Sequence, residues 1–443
     1  MPKNASHTFQ APKGTRDFYP EDMAVRRFIE TVWHRVSINH GFEEINGPTF
    51  EHLDLYTVKS GPGIVSELFS FRREGGDTDY ALRPEFTPTL ARMAAARSSS
   101  LPVPTRWYSI PDHFRAERPQ RGRLREFGQW NVDVIGDPSH NADFEIIEIA
   151  IAMLEAFGFS AEQMRLRMSH RGLVTALLSA SGIDASQHAA AFELLDRRDK
   201  FPPDQFAEKA SELGMSDALI EQFTNAAVIS LEDVRSLDAL DESNEDAASF
   251  IQLCDDLVAA GRSSWCCLDL GIVRGLAYYT GMVFEVHFVK GQERAVAGGG
   301  RYDQLIELFG GKPTPAVGFA MGDVIVRLLL EDEGLLQEPA EYLPRPDVFV
   351  LAASDEAAST VRRILMQLRR AGLHARTTSK ATRNVGKLLK DAAKSRAHTA
   401  LILEDAEGAA QLKRLDTGDQ ESIPFADAIS RIQQIRSEQQ SNA

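Results

Sequence analysis

Hydrophobic and polar positions in the first third of the chain follow two periods, one of about 3.6 residues and one of two residues. Apolar residues recur at helical spacing in Ala24–Asn39 and Asp143–Phe157, which predicts two amphipathic helices. Apolar-rich runs at Arg106–Ile110 and Gln129–Ile135 predict strands on either side of an arginine-rich segment. The pattern therefore indicates a mixture of helices and strands in this third of the chain.

From about residue 172 to residue 261 the spacing becomes helical throughout. Ala, Glu, Asp and Leu dominate this stretch, and the pair Pro202-Pro203 interrupts it. Strand patterns return in Cys266–Val289, and an apolar segment follows at Ala316–Leu330. We therefore predict a helical insertion between two parts of one mixed domain.

A proline-rich segment, Glu338–Pro346, predicts a domain boundary, because proline at this density cannot continue a helix. Beyond it the pattern predicts a compact α/β unit of ordinary domain size. Its polar tail, Gln433–Ala443, is expected to fray. The predicted elements are a strand at Val348–Ala352, a helix at Ala357–Ala371, a second strand, a helix at Val385–Lys394 and a strand at Thr399–Leu403.

Composition places the chain among globular proteins of two or three domains. Its 443 residues are 43% hydrophobic and 26% charged, and apolar runs long enough for a membrane span are not found. The start, Met1–His7, has no apolar region, so we expect no secretory signal. Cys254, Cys266 and Cys267 are few and partly adjacent, which favours buried thiols in a reducing cytoplasm over disulfides or a zinc site.

Charge is distributed unevenly along the chain. The net charge of −15 argues against broad nonspecific binding of nucleic acid. Residues 344–443, however, hold 16 basic and 12 acidic residues, a balance of +4, whereas the rest of the chain carries −19. A basic module on an acidic body suits a protein that handles small molecules and also grips a polyanion, although a solvated surface has a similar composition.

The segment Phe114–Gln129 is the densest in chemically active residues. Arg115–Arg125 contains five arginines in eleven residues, and Phe114 and Phe127 flank it. Guanidinium groups bind phosphate with two parallel hydrogen bonds, so the segment suits a polyphosphate. By itself it is equally compatible with contact to an RNA backbone or with a solvated loop.

Three other segments add context. Arg83–Pro88 holds Glu85 and Thr87, a carboxylate and a hydroxyl that can bind an ammonium group. Asp269–Gly281 places Arg274 and two adjacent tyrosines between glycine turns, and on a strand such tyrosines point to opposite faces. Ala297–Asp303 has three consecutive glycines, which permit a ligand to approach the backbone closely. A P-loop is not indicated, because Gly-Lys-Ser/Thr does not follow.

Together these segments resemble class II aminoacyl-tRNA synthetases and, within them, the histidyl-tRNA synthetases. Phe114-Arg115-Ala116-Glu117 with Phe127 resembles the second class II motif. The histidine-specific signatures are matched by Arg274-Gly275-Leu276-Ala277-Tyr278-Tyr279 and by Gly299-Gly300-Arg301-Tyr302-Asp303. The opening Pro12–Asp17 and the first motif at Gly41–Pro48 are also similar to the family.

The resemblance implies an α+β fold: a class II antiparallel sheet flanked by helices, with a helical insertion and a C-terminal α/β anticodon-binding domain. The domains expected are a catalytic core at 1–171 and 262–337, the insertion at 172–261 and the anticodon-binding domain at 344–443. The implied activity is ATP-dependent ligation of L-histidine to tRNA(His) through a histidyl-adenylate. ATP with Mg²⁺, tRNA(His) and a second copy of the chain in a homodimer are the implied partners, in the cytoplasm and without a membrane.

The resemblance also assigns roles to individual residues. Arg115 and Arg274 are the implied catalytic residues, since both would bind the α-phosphate. The residues implied to bind histidine are Glu85, Phe86, Thr87, Arg115, Gln129, Asp133, Arg274, Tyr278, Tyr279 and Tyr302. Those implied to bind ATP are Arg115, Glu117, Arg123 and Phe127. Arg118 and Gln120 are implied to contact tRNA, and no dedicated metal cage is expected.

A second tRNA surface is predicted in the C-terminal unit, on or just before one predicted helix. Its basic residues are Lys380, Arg383, Lys387, Lys390, Lys394 and Arg396, and one helix face would not hold all six.

Two positions depart from the family pattern. Ala277 stands where many relatives have aspartate. Ile325, after Gly318-Phe319-Ala320-Met321-Gly322, stands where the third motif usually has an arginine over the nucleotide, and Arg327 two residues later would point elsewhere on a helix.

The alternative is a regulatory paralogue that senses histidine without aminoacylation. The isoleucine favours it, whereas Arg115, Arg274 and the C-terminal unit favour the synthetase. A synthetase for another amino acid is disfavoured by the two histidine-specific signatures.

Overall fold

The computed structural model describes residues 9–60, 62–198, 201–224, 229–236, 244–272, 279–290, 295–406 and 408–441. Arg274, Ala277 and Tyr278 lie outside the described residues. The chain divides into two compact units, one ending at Glu341 and one beginning at Tyr342. Within the described part of the chain, no helix is long and apolar enough to cross a membrane.

The strands and helices were numbered in chain order. The strands are β1 (Glu43–Glu44), β2 (Phe50–His52), β3 (Ser70–Arg72), β4 (Asp79–Leu82), β5 (Thr105–Ser109), β6 (Asp112–Phe114), β7 (Glu126–Ile135), β8 (Met164–His170), β9 (Cys266–Leu268), β10 (Met282–Phe288), β11 (Ala297–Arg301), β12 (Ala316–Gly322), β13 (Val348–Ala352), β14 (Ala375–Thr377), β15 (Thr399–Leu403), β16 (Ala409–Arg414) and β17 (Gln420–Pro424). The helices are α1 (Pro20–Asn39), α2 (Asp54–Ser60), α3 (Thr87–Arg97), α4 (His140–Phe157), α5 (Arg171–Ala180), α6 (His188–Asp196), α7 (Pro203–Glu212), α8 (Asp217–Thr224), α9 (Glu245–Ala259), α10 (Leu305–Leu308), α11 (Asp323–Asp332), α12 (Asp355–Arg370), α13 (Val385–Lys394) and α14 (Ala428–Ser441).

A nine-stranded mixed sheet forms the centre of the first unit. Its order is β1-β5-β7-β12-β11-β10-β8-β9, and β6 pairs with the start of β7. The pairings from β5 through β12, β11 and β10 to β8 are antiparallel, whereas β1–β5 and β8–β9 at the two edges are parallel. Tyr279, expected on a strand with Tyr278, lies before β10, which begins at Met282.

Strand β7 shows how the sheet separates core from cavity. Trp130, Val132 and Val134 are fully buried on one face, where α4 packs on β7 and β12 and α1 packs on α4. Successive side chains of a strand point to opposite faces, so the polar residues Gln129 and Asp133 lie on the other face. The polar face of this strand becomes the floor of a cavity.

Helices account for most of the predicted insertion. They run from α5 to α9, and their apolar side chains pack together around residues such as Phe192, Phe206 and Phe250, all buried. A short antiparallel sheet, β2-β4-β3, lies elsewhere in the first unit and exposes Phe50 and Phe71.

The second unit is a five-stranded sheet with helices. Its order is β14-β13-β15-β16-β17, parallel over the first three strands and antiparallel over the last three. The predicted strands Val348–Ala352 and Thr399–Leu403 and the predicted helix Val385–Lys394 are found with those bounds. The expectation of a frayed tail is wrong: α14 continues to Ser441, because Ile432 and Ile435 are buried against the sheet core.

Candidate active site

A cavity of about 330 Å³ opens on the polar face of the main sheet. Nine of the residues predicted for histidine or ATP line it: Glu85, Thr87, Arg115, Arg123, Phe127, Gln129, Asp133, Tyr279 and Tyr302. The other lining residues are Gly122, Leu124, Asn131, Ala295, Val296, Ala297, Gly298, Gly318, Phe319, Ala320, Gly322, Val324 and Ile325. Segments far apart in sequence therefore converge on one concave site of a size that suits small molecules.

Asp133 and Tyr302 form the most deeply buried polar pair of this cavity. The Tyr302 hydroxyl donates to Asp133 Oδ1 at 2.5 Å, and the two residues are 4% and 1% exposed. Burial raises the pKa of Asp133 to about 7, and the hydrogen bond from Tyr302 acts in the opposite direction. Asp133 is therefore poised to lose its proton when a cation enters beside it.

A glycine makes room for this carboxylate. Gly318 of β12 stands opposite Asp133 of β7, and a Cβ atom on Gly318 would lie 2.0 Å from Asp133 Oδ1. A larger residue would displace the carboxylate, because such a contact is far inside van der Waals distance. Gly318, in the Gly-Phe-Ala segment of β12, therefore contributes to the site by leaving space for the Asp133 carboxylate.

Tyr279 forms one wall of the cavity next to the glycine strand β11. A Cβ atom on Gly300 would lie 3.2 Å from Tyr279 Cδ1 and 2.6 Å from the carbonyl oxygen of Met282. The ring therefore packs closely over the backbone of Gly300, as the run of glycines predicts.

Glu85, in the turn before α3, and Thr87, the first residue of α3, both line the cavity. Phe86 between them does not line the cavity: it is fully buried in an apolar cluster with Leu90 and Tyr302. Its position supports the turn and the Tyr302 ring.

Arg115 and Phe127 lie together at the other end of the cavity. The guanidinium group of Arg115 is 5.2 Å from the centroid of the Phe127 ring, and its Nε donates to the carbonyl oxygen of Pro84 at 3.0 Å. The buried His113 ring also stacks against Phe127, with 5.7 Å between the two ring centroids. Burial lowers the pKa of His113 well below its usual value, helped by Arg83 and Arg115, so His113 is a neutral support for the ring.

The arginine-rich loop makes a tight turn above Phe127. Gln120 and Arg123 exchange backbone hydrogen bonds of 3.0 and 2.9 Å around Gly122, whose φ is +74°. Arg123 forms an ion pair with Glu117, which is half-buried and does not line the cavity. Arg118 and Gln120 are exposed, outside the cavity lining.

The opening segment of the chain fixes this loop. The backbone N–H of Arg125 donates to the carbonyl oxygen of Gly14 at 2.8 Å. A Cβ atom on Gly14, which has φ of +89°, would lie 2.7 Å from Pro119. Arg16 pairs with the buried Asp323 at 2.7 Å, and Asp323 also accepts from the backbone N–H of Gly128 at 2.9 Å. Three distant segments are thereby joined at the base of the loop.

Helix α11 contributes an apolar wall. Ile325 lines the cavity and faces Gly122, where a Cβ atom would lie 3.2 Å from Ile325 Cγ1. Arg327 points away from it: the side chain donates to Asp22 at 3.0 Å and to Glu331 at 2.8 Å. The expectation that Arg327 does not replace an arginine at position 325 is consistent with this geometry.

Arg301, in the signature that follows the glycines, is buried and bonded to other parts of the protein. It is 6% exposed, and its guanidinium group lies 2.9 Å from Asp143 and donates to the carbonyl oxygens of Asp137 and Ser139 at 3.0 and 2.9 Å. Burial raises the pKa of Asp143 to about 6, although Arg301 lowers it. The arginine joins β11 to the start of α4 and is not part of the cavity lining.

Comparison with known proteins decides the family. Residues 14–323 match the model of the family described as histidyl-tRNA synthetase, and residues 347–435 match that of an anticodon binding domain. The histidine–tRNA ligase of Opitutus terrae is 37% identical over 429 residues, which are 94% of this chain and 96% of that protein.

The chain belongs to the histidyl-tRNA synthetase family.

Solved structures agree on the fold of this synthetase family member. A histidyl-tRNA synthetase from Nostoc sp. PCC 7120 superposes with a TM-score of 0.78 at 23% identity, covering 96% of this chain and 99% of that one. A protein from Bacillus halodurans described as an ATP phosphoribosyltransferase regulatory subunit/histidyl-tRNA synthetase gives 0.70 at 24% identity, covering 90% and 98%. The predicted family and the predicted α+β fold with a C-terminal anticodon-binding domain are both confirmed.

Sequence reasoning gave no role to several residues that shape the synthetase site. Asn131 lines the cavity between Gln129 and Asp133, and the two-residue period of β7 is the signal that would have found it. Gly318 lies within the third motif, yet its contact with Asp133 depends on strand pairing. Ala295–Gly298 also line the cavity, and the run of glycines is the one feature of the sequence that indicated this side of it.

Proposed function

We propose that this chain is a histidine–tRNA ligase, which activates L-histidine with ATP and transfers it to tRNA(His). The proposal depends on one observation in this member of the family: a single cavity is lined by two sets of residues. Asp133, Tyr302 and Tyr279 form one set, and Arg115 and Phe127 form the other. The first three suit an amino acid with an imidazole side chain. The last two suit a nucleotide.

Histidine binds at the end of the cavity near Asp133. Its ammonium group pairs with the carboxylates of Glu85 and Asp133, and the cation stabilises the deprotonated form of Asp133, whose pKa is otherwise raised to about 7. Gln129 has a buried Oε1 atom without a hydrogen-bond partner among the described residues, which suits an ammonium donor. Tyr279 and Tyr302, together with Tyr278 outside the described residues, enclose the imidazole.

ATP binds at the end formed by Arg115 and the arginine-rich loop. Its adenine stacks on Phe127, Glu117 accepts a hydrogen bond from the adenine amino group, and Arg123 binds the outer phosphates. Groups of three or more potential metal ligands are not present among the described residues. Mg²⁺ arrives as part of the MgATP substrate, with ligands supplied largely by the phosphates.

The first reaction is attack of a histidine carboxylate oxygen on the α-phosphorus. The new bond joins that oxygen to phosphorus, the bond from the α-phosphorus to the bridging oxygen breaks, and pyrophosphate leaves with its electrons. Arg115 holds the carboxylate and the α-phosphate in line, and Arg274 stabilises the charge that develops. A ribose hydroxyl at the end of tRNA then attacks the histidyl carbonyl carbon, and AMP leaves.

Two surfaces bind tRNA. Arg118 and Gln120, exposed on the loop above the cavity, contact the acceptor end. The C-terminal unit, which matches an anticodon binding domain and carries the chain's basic surplus, contacts the anticodon. The free and buried thiols of Cys254, Cys266 and Cys267 are consistent with a reducing cytoplasm as the site of action.

The active form is a homodimer. Strand β1 ends the large sheet and is only two residues long, while Ile38 at the end of α1 is 63% exposed. Phe50 and Phe71, 47% and 43% exposed, form an aromatic cluster with Tyr80. A short edge strand and exposed apolar side chains suit a two-fold interface. Light scattering at micromolar protein should give twice 49.0 kDa, and a monomer mass would refute the proposal.

Histidine-dependent ATP–pyrophosphate exchange tests the activity. Exchange should occur with histidine and not with the other amino acids, and Arg274→Ala should lower its rate by about 10²–10³, the usual effect of removing one charge-stabilising donor. Near-normal exchange in that variant would contradict the role of Arg274. Exchange with a different amino acid would contradict the substrate.

One observation favours the regulatory alternative. Ile325 gives the cavity an apolar wall where the third motif of the family usually has an arginine. A histidine-sensing subunit would bind histidine by calorimetry but would show neither exchange nor charging of tRNA. The same two assays therefore decide between the functions.

A further inference from the structure

Arg171 stands at the junction between the main sheet and the helical insertion. It follows the last residue of β8 and begins α5, and its backbone N–H donates to the carbonyl oxygen of Gly281 at 3.0 Å. Its guanidinium Nη1 donates to the carbonyl oxygen of Tyr279 at 3.2 Å. Two hydrogen bonds from one residue thus hold the short segment that leads from Tyr279 into β10.

The other side of this guanidinium group rests on the insertion. It lies 4.7 Å from the centroid of the Phe192 ring, and Phe192 belongs to α6 and is 4% exposed. A guanidinium group at this distance over an aromatic ring is attracted to the ring face, more so where water is partly excluded. Burial lowers the pKa of Arg171, in keeping with a partly desolvated position.

Tyr279 is held on its remaining sides by the catalytic sheet. Its ring packs on Gly300, and the backbone N–H of the next residue, Thr280, donates to the carbonyl oxygen of Arg301 at 2.7 Å. The ring and the following residue are therefore fixed by β11, whereas the carbonyl group of Tyr279 accepts a hydrogen bond from the Arg171 side chain, which the insertion supports.

We infer that Arg171 is a positioning residue that transmits the conformation of the insertion to the histidine end of the cavity. The inference deepens the proposed function and rests on it, since Tyr279 is taken to enclose the imidazole. Without Arg171, the partly buried carbonyl oxygen of Tyr279 loses a charged donor, and the segment shifts to find water. A small displacement of Tyr279 weakens contact with histidine and leaves the Arg115–Phe127 end unchanged.

The substitution Arg171→Met tests this, because it keeps an unbranched side chain and removes the donors. In exchange assays we expect the KM for histidine to rise about ten-fold, the effect of losing one charged hydrogen bond, with kcat and the KM for ATP within about two-fold of wild type. Arg171→Lys should restore part of the affinity. Phe192→Leu, which keeps an apolar side chain but removes the ring face, should raise the histidine KM by about three-fold.

Arg197→Met is the matched control. Arg197 also belongs to the insertion, lies 5.6 Å from the Phe201 ring and pairs loosely with Glu193, but it is exposed and lines no part of the described cavity. This variant should keep the wild-type histidine KM. An equal rise in both variants, or a rise in the KM for both substrates together with a lower melting temperature, would assign Arg171 a merely structural role.

A double-mutant cycle with Tyr279→Ala separates action through Tyr279 from direct action. If Arg171 works through the Tyr279 ring, Arg171→Met should cost less than about two-fold in histidine affinity once the ring is absent. Additive losses would overturn the inference. Calorimetry with histidine alone gives the same comparison without exchange, so a wild type that binds histidine but does not exchange would refute the proposed function and still test Arg171.

Discussion

At the scale of single residues, burial in the cavity raises the pKa of one carboxyl group, that of Asp133, which is proposed to bind a cation as the carboxylate. Asp133 is almost fully buried and accepts a hydrogen bond from Tyr302, so little water reaches the carboxyl group to stabilise its negative charge. Its pKa is raised to about 7 by that burial. Burial makes it costly to ionise Asp133 without a ligand. A cationic ligand such as an ammonium group would stabilise the carboxylate and so favour its ionised form.

This residue gives a prediction for stability against pH. Burial raises the pKa of Asp133 in the folded state above its ordinary value of 3.8, so between about pH 4 and pH 7 the folded state binds a proton that the unfolded state has lost. Stability from this group must therefore fall as pH rises through that window. Relative to Asp133→Asn, wild type should lose on the order of 1 to 4 kcal/mol between pH 4 and pH 8. Denaturant unfolding at the two pH values measures it.

Two comparisons make that measurement specific. Saturating histidine should offset the loss at pH 8 in wild type, because the ammonium group stabilises the carboxylate, and should offset less in Asp133→Asn. Identical pH dependence of the two proteins without ligand would show that Asp133 is already ionised near its ordinary pKa. Tyr302→Phe should extend the loss of stability to higher pH, since it removes the hydrogen bond that lowers the pKa of Asp133.

The residues of the site were predictable to different degrees, and the reason is physical. Motif resemblance led to Glu85, Thr87 and Tyr302, and all of them line the cavity. The same motif included Phe86, which packs inside because the turn before α3 directs it into the apolar cluster. The contact of Gly318 with Asp133 was not predictable, because strand register is set by the whole sheet.

At the scale of elements, the proposed ATP end of the cavity has an apolar wall from α11 and a cation from the arginine-rich loop. Ile325 faces Gly122 inside the cavity, and Arg327 on the same helix pairs with Asp22 and Glu331. Cations for the outer phosphates must then come from the loop, where Arg123 lines the cavity.

A pair of substitutions tests this arrangement. Arg123→Ala should lower kcat/KM for ATP in pyrophosphate exchange by about 10²-fold, because a charged phosphate ligand is lost. Arg327→Ala should change it by less than about two-fold, although it removes two ion pairs from the same region and costs a little stability. A large loss in Arg327→Ala with normal folding would mean that the side chain turns toward ATP.

Elements of the C-terminal unit show where periodicity failed. Regular strands such as Val348–Ala352 are fully buried, and their continuous apolar runs predict them from the sequence. Strands β16 and β17 were missed, because both expose residues and carry Lys, Arg, Gln and Glu at many positions. Helix α14 was missed because its apolar residues are spaced thinly among polar ones, yet Ile432 and Ile435 suffice to anchor it.

Helix α13 carries part of the basic surface predicted for tRNA. Leu388 and Ala392 are buried, and Lys387, Lys390 and Lys394 are exposed along one face at spacings of three and four residues. Two other basic residues of the predicted surface are engaged within the protein: Lys380 pairs with Asp391 at 2.7 Å, and Arg383 pairs with Asp355 at 2.9 Å. The exposed basic face of α13 therefore contains three of the six basic residues predicted to bind tRNA.

Replacing these three lysines by alanine should weaken tRNA charging. We expect a higher KM for tRNA, a salt dependence of binding that is shallower by up to about three in the log–log slope, and unchanged pyrophosphate exchange. Arg362→Ala, Arg363→Ala and Arg370→Ala together on α12 provide a comparison that removes the same charge from exposed positions of the same unit. Equal effects of both sets would indicate general attraction of a polyanion and not a defined contact.

At the scale of the whole molecule, charge and chemistry are divided between the two units. The unit that ends at Glu341 contains every described residue of the cavity and lies within the acidic part of the chain. The unit that begins at Tyr342 has its own apolar clusters on the two sides of its sheet and the basic surplus. Each unit therefore has a core with which to fold on its own.

Removal of residues 344–443 should separate the two reactions. The truncated chain keeps the whole cavity, so histidine-dependent pyrophosphate exchange should persist at a measurable fraction of the wild-type rate, whereas aminoacylation of tRNA should fall by at least about 10²-fold. The physical reason is that affinity for a polyanion depends strongly on the number of phosphate contacts, and the basic surplus is lost with this unit. Circular dichroism and light scattering should first establish that the truncated chain is folded and dimeric. Undiminished charging would show that the C-terminal unit is not the anticodon grip, and loss of exchange in a folded dimer would show that the catalytic cavity depends on it.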